Sequence, residues 1–161
     1  MKKIFILLVV ANVITDLASY FLLPGSVATH FGSNNSPNGW FSDTGSLLFN
    51  LGLHGLFFLI IYGSGNALLK MPKEIINIPN KEYWLADENI PAFKAKWEFA
   101  IFQFGSVLMS LFLAMSLLII EANFSNPIKL SASVFASVMF GFLFFMVYWI
   151  ISFYRLFRLP K

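Results

Sequence analysis

The chain has 161 residues, of which 58% are hydrophobic, 18% aromatic and only 12% charged. This composition lies outside the range of soluble globular domains and is typical of a protein embedded in a bilayer. The formal charge of +3 comes without any basic run, which argues against nucleic acid as a partner, and the lack of cysteine excludes disulfides and thiolate metal sites.

The first apolar run predicts a helix over about residues 4–23. At about 1.5 Å per residue, such a helix crosses a hydrocarbon core of about 30 Å. A charged start followed by an apolar segment is also typical of a cleaved signal peptide. Asn12 and Asp16 interrupt the run where a cleavage site would form, and apolar character resumes up to Leu23, so we expect a retained span.

The remaining apolar runs complete an all-α membrane protein with four transmembrane helices, in a single membrane domain over residues 1–161. The further spans are predicted over about residues 46–69, 97–120 and 130–154. Residues 24–45 and 70–96 connect the spans as two longer loops. Rows of small residues four apart in the last two spans are expected to allow close helix packing: Ser106, Ser110 and Ala114 in one, and Ser133, Ser137 and Gly141 in the other.

Basic residues are unevenly distributed between the two ends of the predicted spans. All lysines and arginines except Lys129 fall near the chain termini or within residues 70–96. Because the cytoplasmic side of a membrane protein carries the excess of basic residues, we expect both termini and the 70–96 loop in the cytoplasm. The 24–45 loop would then lie outside the cell membrane as a small extracytoplasmic cap.

This outer loop has the pattern of a β-hairpin. Residues 26–31 are rich in β-branched and aromatic side chains, a turn of Asn and Gly residues follows, and Gly39 to Ser42 would form the second arm. His30 and Phe31 would then lie near Trp40. A loop histidine beside aromatic rings fits either a contact that stabilises the hairpin or a ligand-binding residue.

Polar residues also occur inside the predicted spans. Asn12, Asp16 and Ser19 recur at helical spacing, so this stripe should face protein. A charged residue at mid-bilayer costs about 2.5 to 3.5 kcal/mol, so Asp16 should be protonated, paired or in contact with water. At about 1.5 Å per residue, Asp16 and His54 lie at similar depths and could meet, with Asn50 extending the polar seam outward. Both a proton- or ligand-sensitive pair and a structural hydrogen bond fit the sequence.

The outer loop carries a recognisable pattern, which runs Leu23-Pro24, Val27-Ala-Thr-His30-Phe31-Gly32 and Pro37-Asn38-Gly39-Trp40. It resembles the membrane module of unknown function at the N-terminal end of SdpI-type bacterial toxin-immunity proteins, over about residues 5–50. Asn35 stands where the family's turn usually has Gly, and it tolerates the same left-handed geometry. The inner stretch Ile78 to Ala86 also resembles short stand-alone members through Pro79, Asn80, Tyr83 and Trp84.

This resemblance implies a bacterial membrane protein whose outer cap binds or senses a ligand or a toxic peptide, in immunity or signalling. The binding residues would be His30, Phe31, Pro37, Asn38 and Trp40. The inner motif would pass a signal to a cytoplasmic regulator. The expected partners are therefore the lipid bilayer, a peptide toxin and such a regulator.

A small proton-coupled transporter is the alternative function, because Asp16 is an acidic residue in the first of four spans, as in small multidrug exporters. An enzyme is not expected. No nucleophile stands beside a recognisable base, and His30 and His54 lie at different depths, whereas a catalytic zinc needs about three ligands together. The sequence therefore predicts no cofactor and no metal site.

Overall fold

The computed structural model describes residues 1–23, 25–68 and 70–160. Its elements in chain order are α1 Lys2–Leu22, β1 Ser26–Phe31, β2 Pro37–Ser42, α2 Asp43–Leu68, α3 Lys81–Trp84, α4 Ile90–Phe124 and α5 Ala132–Leu156. Short 3-10 turns occur at Lys73–Ile75 and Asp87–Asn89. The predicted boundary residues Pro24 and Leu69 lie outside the described residues.

The four long helices α1, α2, α4 and α5 are each long and apolar enough to cross a membrane. Between the first two spans, β1 and β2 form a two-stranded antiparallel sheet. The predicted fold class, a helical membrane protein with a hairpin cap, is therefore confirmed. The hairpin follows α1 directly and leads directly into α2, so it lies at one end of the helix bundle.

One predicted boundary is wrong. The 70–96 loop ends early, because α4 begins at Ile90 and residues 90–96 are helical. Pro91 lies in the first turn of α4. At that position a proline ring presets the helical φ angle, and its missing N–H would have no partner within the helix in any case. The pair Ile90-Pro91 therefore starts a helix, where the sequence pattern indicated only a loop.

The centre of the bundle is formed by α1, α2 and α4, which all contact one another. Phe5, Ile61, Phe102 and Met109 form its buried apolar cluster. Gly105 of α4 faces this cluster, and a Cβ atom there would lie 2.8 Å from Cγ2 of Ile61. The missing side chain thus allows three helices to approach closely.

By contrast, α5 packs against α4 less closely than the rows of small residues predicted. An opening of about 180 Å³ lies between the two helices, beside Ser110, Ala114 and Gly141. Within the described chain, a Cβ atom at Gly141 would meet nothing within 4 Å. The two helices are joined further along, where Nε1 of Trp149 donates a 3.0 Å hydrogen bond to the carbonyl of Ala100.

The loop before α4 packs on the C-terminal end of α5. Nε1 of Trp84 and Nδ2 of Asn80 donate to the carbonyl of Phe157 at 2.8 and 2.9 Å, and Lys96 donates to the carbonyl of Leu156 at 3.0 Å. These donors satisfy carbonyls that a helix end leaves unpaired. Of the predicted inner motif, Asn80 and Trp84 therefore contact the chain itself, Pro79 is half-buried, and Tyr83 is exposed.

We expect Gly105→Ala to lower the midpoint of thermal unfolding of the purified protein in detergent, followed by circular dichroism. The added Cβ would lie 2.8 Å from Ile61 and 3.0 Å from Phe5, and overpacking a core typically costs about 1 to 3 kcal/mol. Gly141→Ala is the matched control, since it gains the same helix propensity in open space. Equal midpoints for the two variants would contradict the close approach at Gly105.

Candidate functional site

The polar stripe of α1 faces the interior of the bundle. Asn12 is fully buried, and its Nδ2 donates to the carbonyls of Leu8 and Met109 at 2.8 and 2.9 Å. The first bond is local to α1, and the second connects α1 to α4. Asn12 therefore acts as a polar contact between two spans.

Asp16, one turn nearer the hairpin, pairs with His54 of α2. Nδ1 of His54 donates to Oδ2 of Asp16 at 2.9 Å, and both residues are 2% exposed. The contact that their depths in the sequence suggested is therefore present. The other carboxylate oxygen, Oδ1, is buried and finds no hydrogen-bond partner among the described residues. An unpaired buried acceptor is costly, and a carboxylate oxygen more so.

The hairpin at the end of the bundle explains several residues of the outer-loop pattern. His30 pairs with Gly39 across the two antiparallel strands, and its Nδ1 donates to Oδ1 of Asn38. A Cβ atom at position 39 would lie 2.9 Å from Cβ of His30, so this position requires glycine. Asn35 adopts the predicted left-handed conformation in the turn, with φ of 62°. The second arm begins at Pro37, two residues earlier than predicted.

A side chain of α4 holds the hairpin onto the bundle. Asn123 accepts a hydrogen bond from the Ala28 N–H on Oδ1 and donates from Nδ2 to the Ala28 carbonyl, both at 2.9 Å. The amide thus pairs with the outer edge of β1 as a neighbouring strand would. In the sequence, the only pattern that includes Asn123 is the glycosylation triplet Asn123-Phe-Ser125, which often matches by chance.

A cavity of about 380 Å³ lies between the hairpin and the three central helices, and we call it the hairpin cavity. The helices contribute Asp16, Ser19, Ser46, Phe49, Asn50, Ser116 and Ile119. The strands contribute Thr29, His30, Gly39, Trp40 and Phe41. Its volume is in the range of small-molecule sites, which typically measure about 300 to 1,000 Å³.

The hairpin cavity combines a carboxylate with an aromatic wall. Among the described residues that line it, Asp16 is the only acidic one, and none is a lysine or an arginine. Trp40, Phe41 and Phe49 supply aromatic surface, and the first two are also 47% and 43% exposed at the outside of the hairpin. In the described part of the chain, no three His, Asp or Glu side chains are grouped in a way that could hold a metal ion.

The structure divides the predicted site residues into lining and supporting groups. His30, Trp40, Asp16 and Asn50 meet around one cavity, although the sequence analysis treated the loop and the spans as separate sites. The remaining predicted residues of the loop and the first two spans do not line the cavity: Asn38 bonds to His30, His54 bonds to Asp16, and Phe31 pairs with Pro37.

Several lining residues were not predicted. Phe41 and Phe49 looked like ordinary apolar positions of a strand and a span. Ser116 and Ile119 belong to α4, whose approach to the hairpin leaves no signal in the sequence.

Residues 7–53 of the chain match the family model described as Domain of unknown function (DUF1648). This domain is known as an N-terminal module in SdpI-like proteins, which agrees with the resemblance found in the outer loop. The matched residues comprise most of α1, the whole hairpin and the first part of α2, up to the residue before His54. No curated protein and no solved structure matches the chain.

We expect Asn123→Ala to release β1 from α4, because it removes both hydrogen bonds to Ala28, each worth about 1 kcal/mol. The measurement is the rate at which a thiol reagent modifies Val27→Cys, a position that is 2% exposed in a chain without native cysteine. The loss of both bonds, about 2 kcal/mol, corresponds to roughly thirtyfold faster modification.

The matched control is Asn34→Ala in the same Val27→Cys background. It removes only the 3.1 Å bond from Ser36 N–H to Oδ1 of Asn34 within the turn, so the modification rate should stay unchanged. Equal rates for the two asparagine variants would show that Asn123 does not hold the hairpin.

Proposed function

We propose that this chain, whose residues 7–53 match the DUF1648 module, binds a small molecule or one end of a toxic peptide in the hairpin cavity. Its role would be that of a sensor or immunity component in a bacterial membrane. The observation that carries the proposal is that one cavity joins His30 and Trp40 of the hairpin to Asp16 within the spans. The resemblance to the module of SdpI-type immunity proteins supports the same role.

The proposal places the hairpin on the outer side of the membrane. Nζ of Lys2 lies 4.4 Å from the ring centre of Tyr62, near the C-terminal end of α2. Nζ of Lys96 donates to the carbonyl of Leu156 at the end of α5. Apart from Lys129, the lysines and arginines of the described chain belong to segments at the end of the bundle opposite the hairpin. By the positive-inside rule, that end is cytoplasmic.

Binding from one side is favoured over transport by the packing below Asp16. The next residues toward the opposite end are the buried Asn12, Phe5, Ile61 and Met109, each at most 2% exposed. They fill the space between α1, α2 and α4. This arrangement supports a cavity with one entrance rather than a path that alternates between two sides.

The orientation can be tested with single cysteines, because the native chain has none. Ser33→Cys at the exposed hairpin turn should react with a membrane-impermeant maleimide in intact cells. Asn77→Cys, exposed in the loop before α4, should react only after the membrane is permeabilised. The reverse pattern would place the hairpin in the cytoplasm and contradict the proposal.

The binding role can be tested without knowing the ligand. A photo-crosslinking amino acid, p-benzoylphenylalanine, replaces Trp40 at the cavity or Phe140 on α5, which is 72% exposed and serves as the control. After irradiation of intact bacterial cells, mass spectrometry should find an adduct at position 40 that is absent at position 140. Identical lipid adducts at both positions would contradict ligand binding in the hairpin cavity.

If that adduct is a peptide, the immunity role can be tested by the survival of cells exposed to it. Cells that carry His30→Ala or Trp40→Ala should then be about tenfold or more sensitive to the peptide than cells that carry Phe140→Ala, at equal protein levels in the membrane. Unchanged survival would contradict the immunity role but not the binding of the peptide.

A further inference from the structure

We infer that the ligand of the hairpin cavity is an organic cation, a protonated amine carried on an apolar body. This inference rests on the proposed function and adds the chemical class of the ligand. Two observations carry it: Asp16 lines the cavity and has one carboxylate oxygen without a partner among the described residues, and aromatic residues line the same cavity.

The hydrogen bond from His54 uses one oxygen of Asp16 and fixes the orientation of the carboxylate. Oδ1 remains buried with no donor from the described residues, on a side chain that lines the cavity. A bound ammonium group would supply the missing donor together with a countercharge. Hydrogen bonds between charged partners are shorter and stronger than neutral ones, and most of all where water is excluded.

The rest of the lining suits the same ligand. Trp40, Phe41 and Phe49 offer ring surfaces that attract cations and can cover an apolar body. Ser19, Ser46 and Asn50 add oxygen atoms that can accept further N–H bonds.

Other classes of ligand fit less well. An anion would approach a carboxylate oxygen with no lysine or arginine of the described lining to offset the repulsion. A neutral apolar molecule would leave Oδ1 of Asp16 unpaired. A metal ion would need several oxygen or nitrogen ligands in one cluster, and the described residues contain no such group.

The test compares three compounds with one body and different head groups: 4-phenylbutylamine, 4-phenylbutanol and 4-phenylbutyrate. Binding to the purified full-length protein in a neutral detergent is measured at pH 7 by equilibrium dialysis. We expect the amine to bind about tenfold or more tightly than the alcohol, and the carboxylate to show no binding above that of detergent alone.

Two variants connect this preference to the site. Asp16→His with His54→Asp keeps a histidine–carboxylate pair between α1 and α2 but moves the carboxylate to position 54, which does not line the cavity. Ser116→Phe fills the cavity and leaves Asp16 and His54 in place. Both should abolish the preference for the amine, whereas Phe140→Ala on the exposed face of α5 should keep it.

Each result decides a separate point. Equal binding of amine and alcohol that Ser116→Phe abolishes would overturn the cationic ligand and leave the proposed binding cavity intact. Amine binding that persists in both cavity variants would be partition into detergent and would also overturn the inference. If none of the three compounds binds, the inference of a cationic ligand is also overturned. The proposed binding function is then decided by the cross-linking experiment at position 40.

Discussion

The 2.9 Å hydrogen bond from His54 to Asp16 is the contact on which the arrangement of the site depends. It joins the first two spans inside the bundle, where a lone carboxylate would be costly. The bond fixes one oxygen of Asp16 and leaves the other buried and unpaired within the described chain. One pair therefore serves two roles: it holds α1 against α2, and it supplies the only acidic side chain among the described residues that line the hairpin cavity.

The hairpin completes this cavity because α4 holds it in place. A two-stranded hairpin alone is marginally stable in water. Here its first strand is paired on the outer edge by the amide of Asn123, and the N–H of Leu130 donates to the carbonyl of Asn35 at 3.0 Å near the turn. The matched module ends at residue 53 and does not include these partners. In this chain, the later helix thus supplies both one wall of the site and the support of its cap.

The residues of the outer-loop pattern have structural roles in this arrangement. Gly39 is required because His30 lies directly opposite it, Asn38 accepts a hydrogen bond from the His30 ring, and Asn35 takes the left-handed turn position. These contacts fix His30 and Trp40 beside the cavity. The pattern therefore describes a rigid hairpin that positions two lining side chains, and several of its members support the site without lining it.

From the sequence alone, the four spans, the hairpin, the left-handed Asn35 and the facing depths of Asp16 and His54 could be predicted. All of these follow from local periodicity, turn chemistry and residue counting along single helices. The pairing of Asn123 with Ala28 and the meeting of loop and span residues around one cavity were decided by the tertiary structure. They depend on how residues almost a hundred positions apart pack together, and no pattern within one segment carries that information.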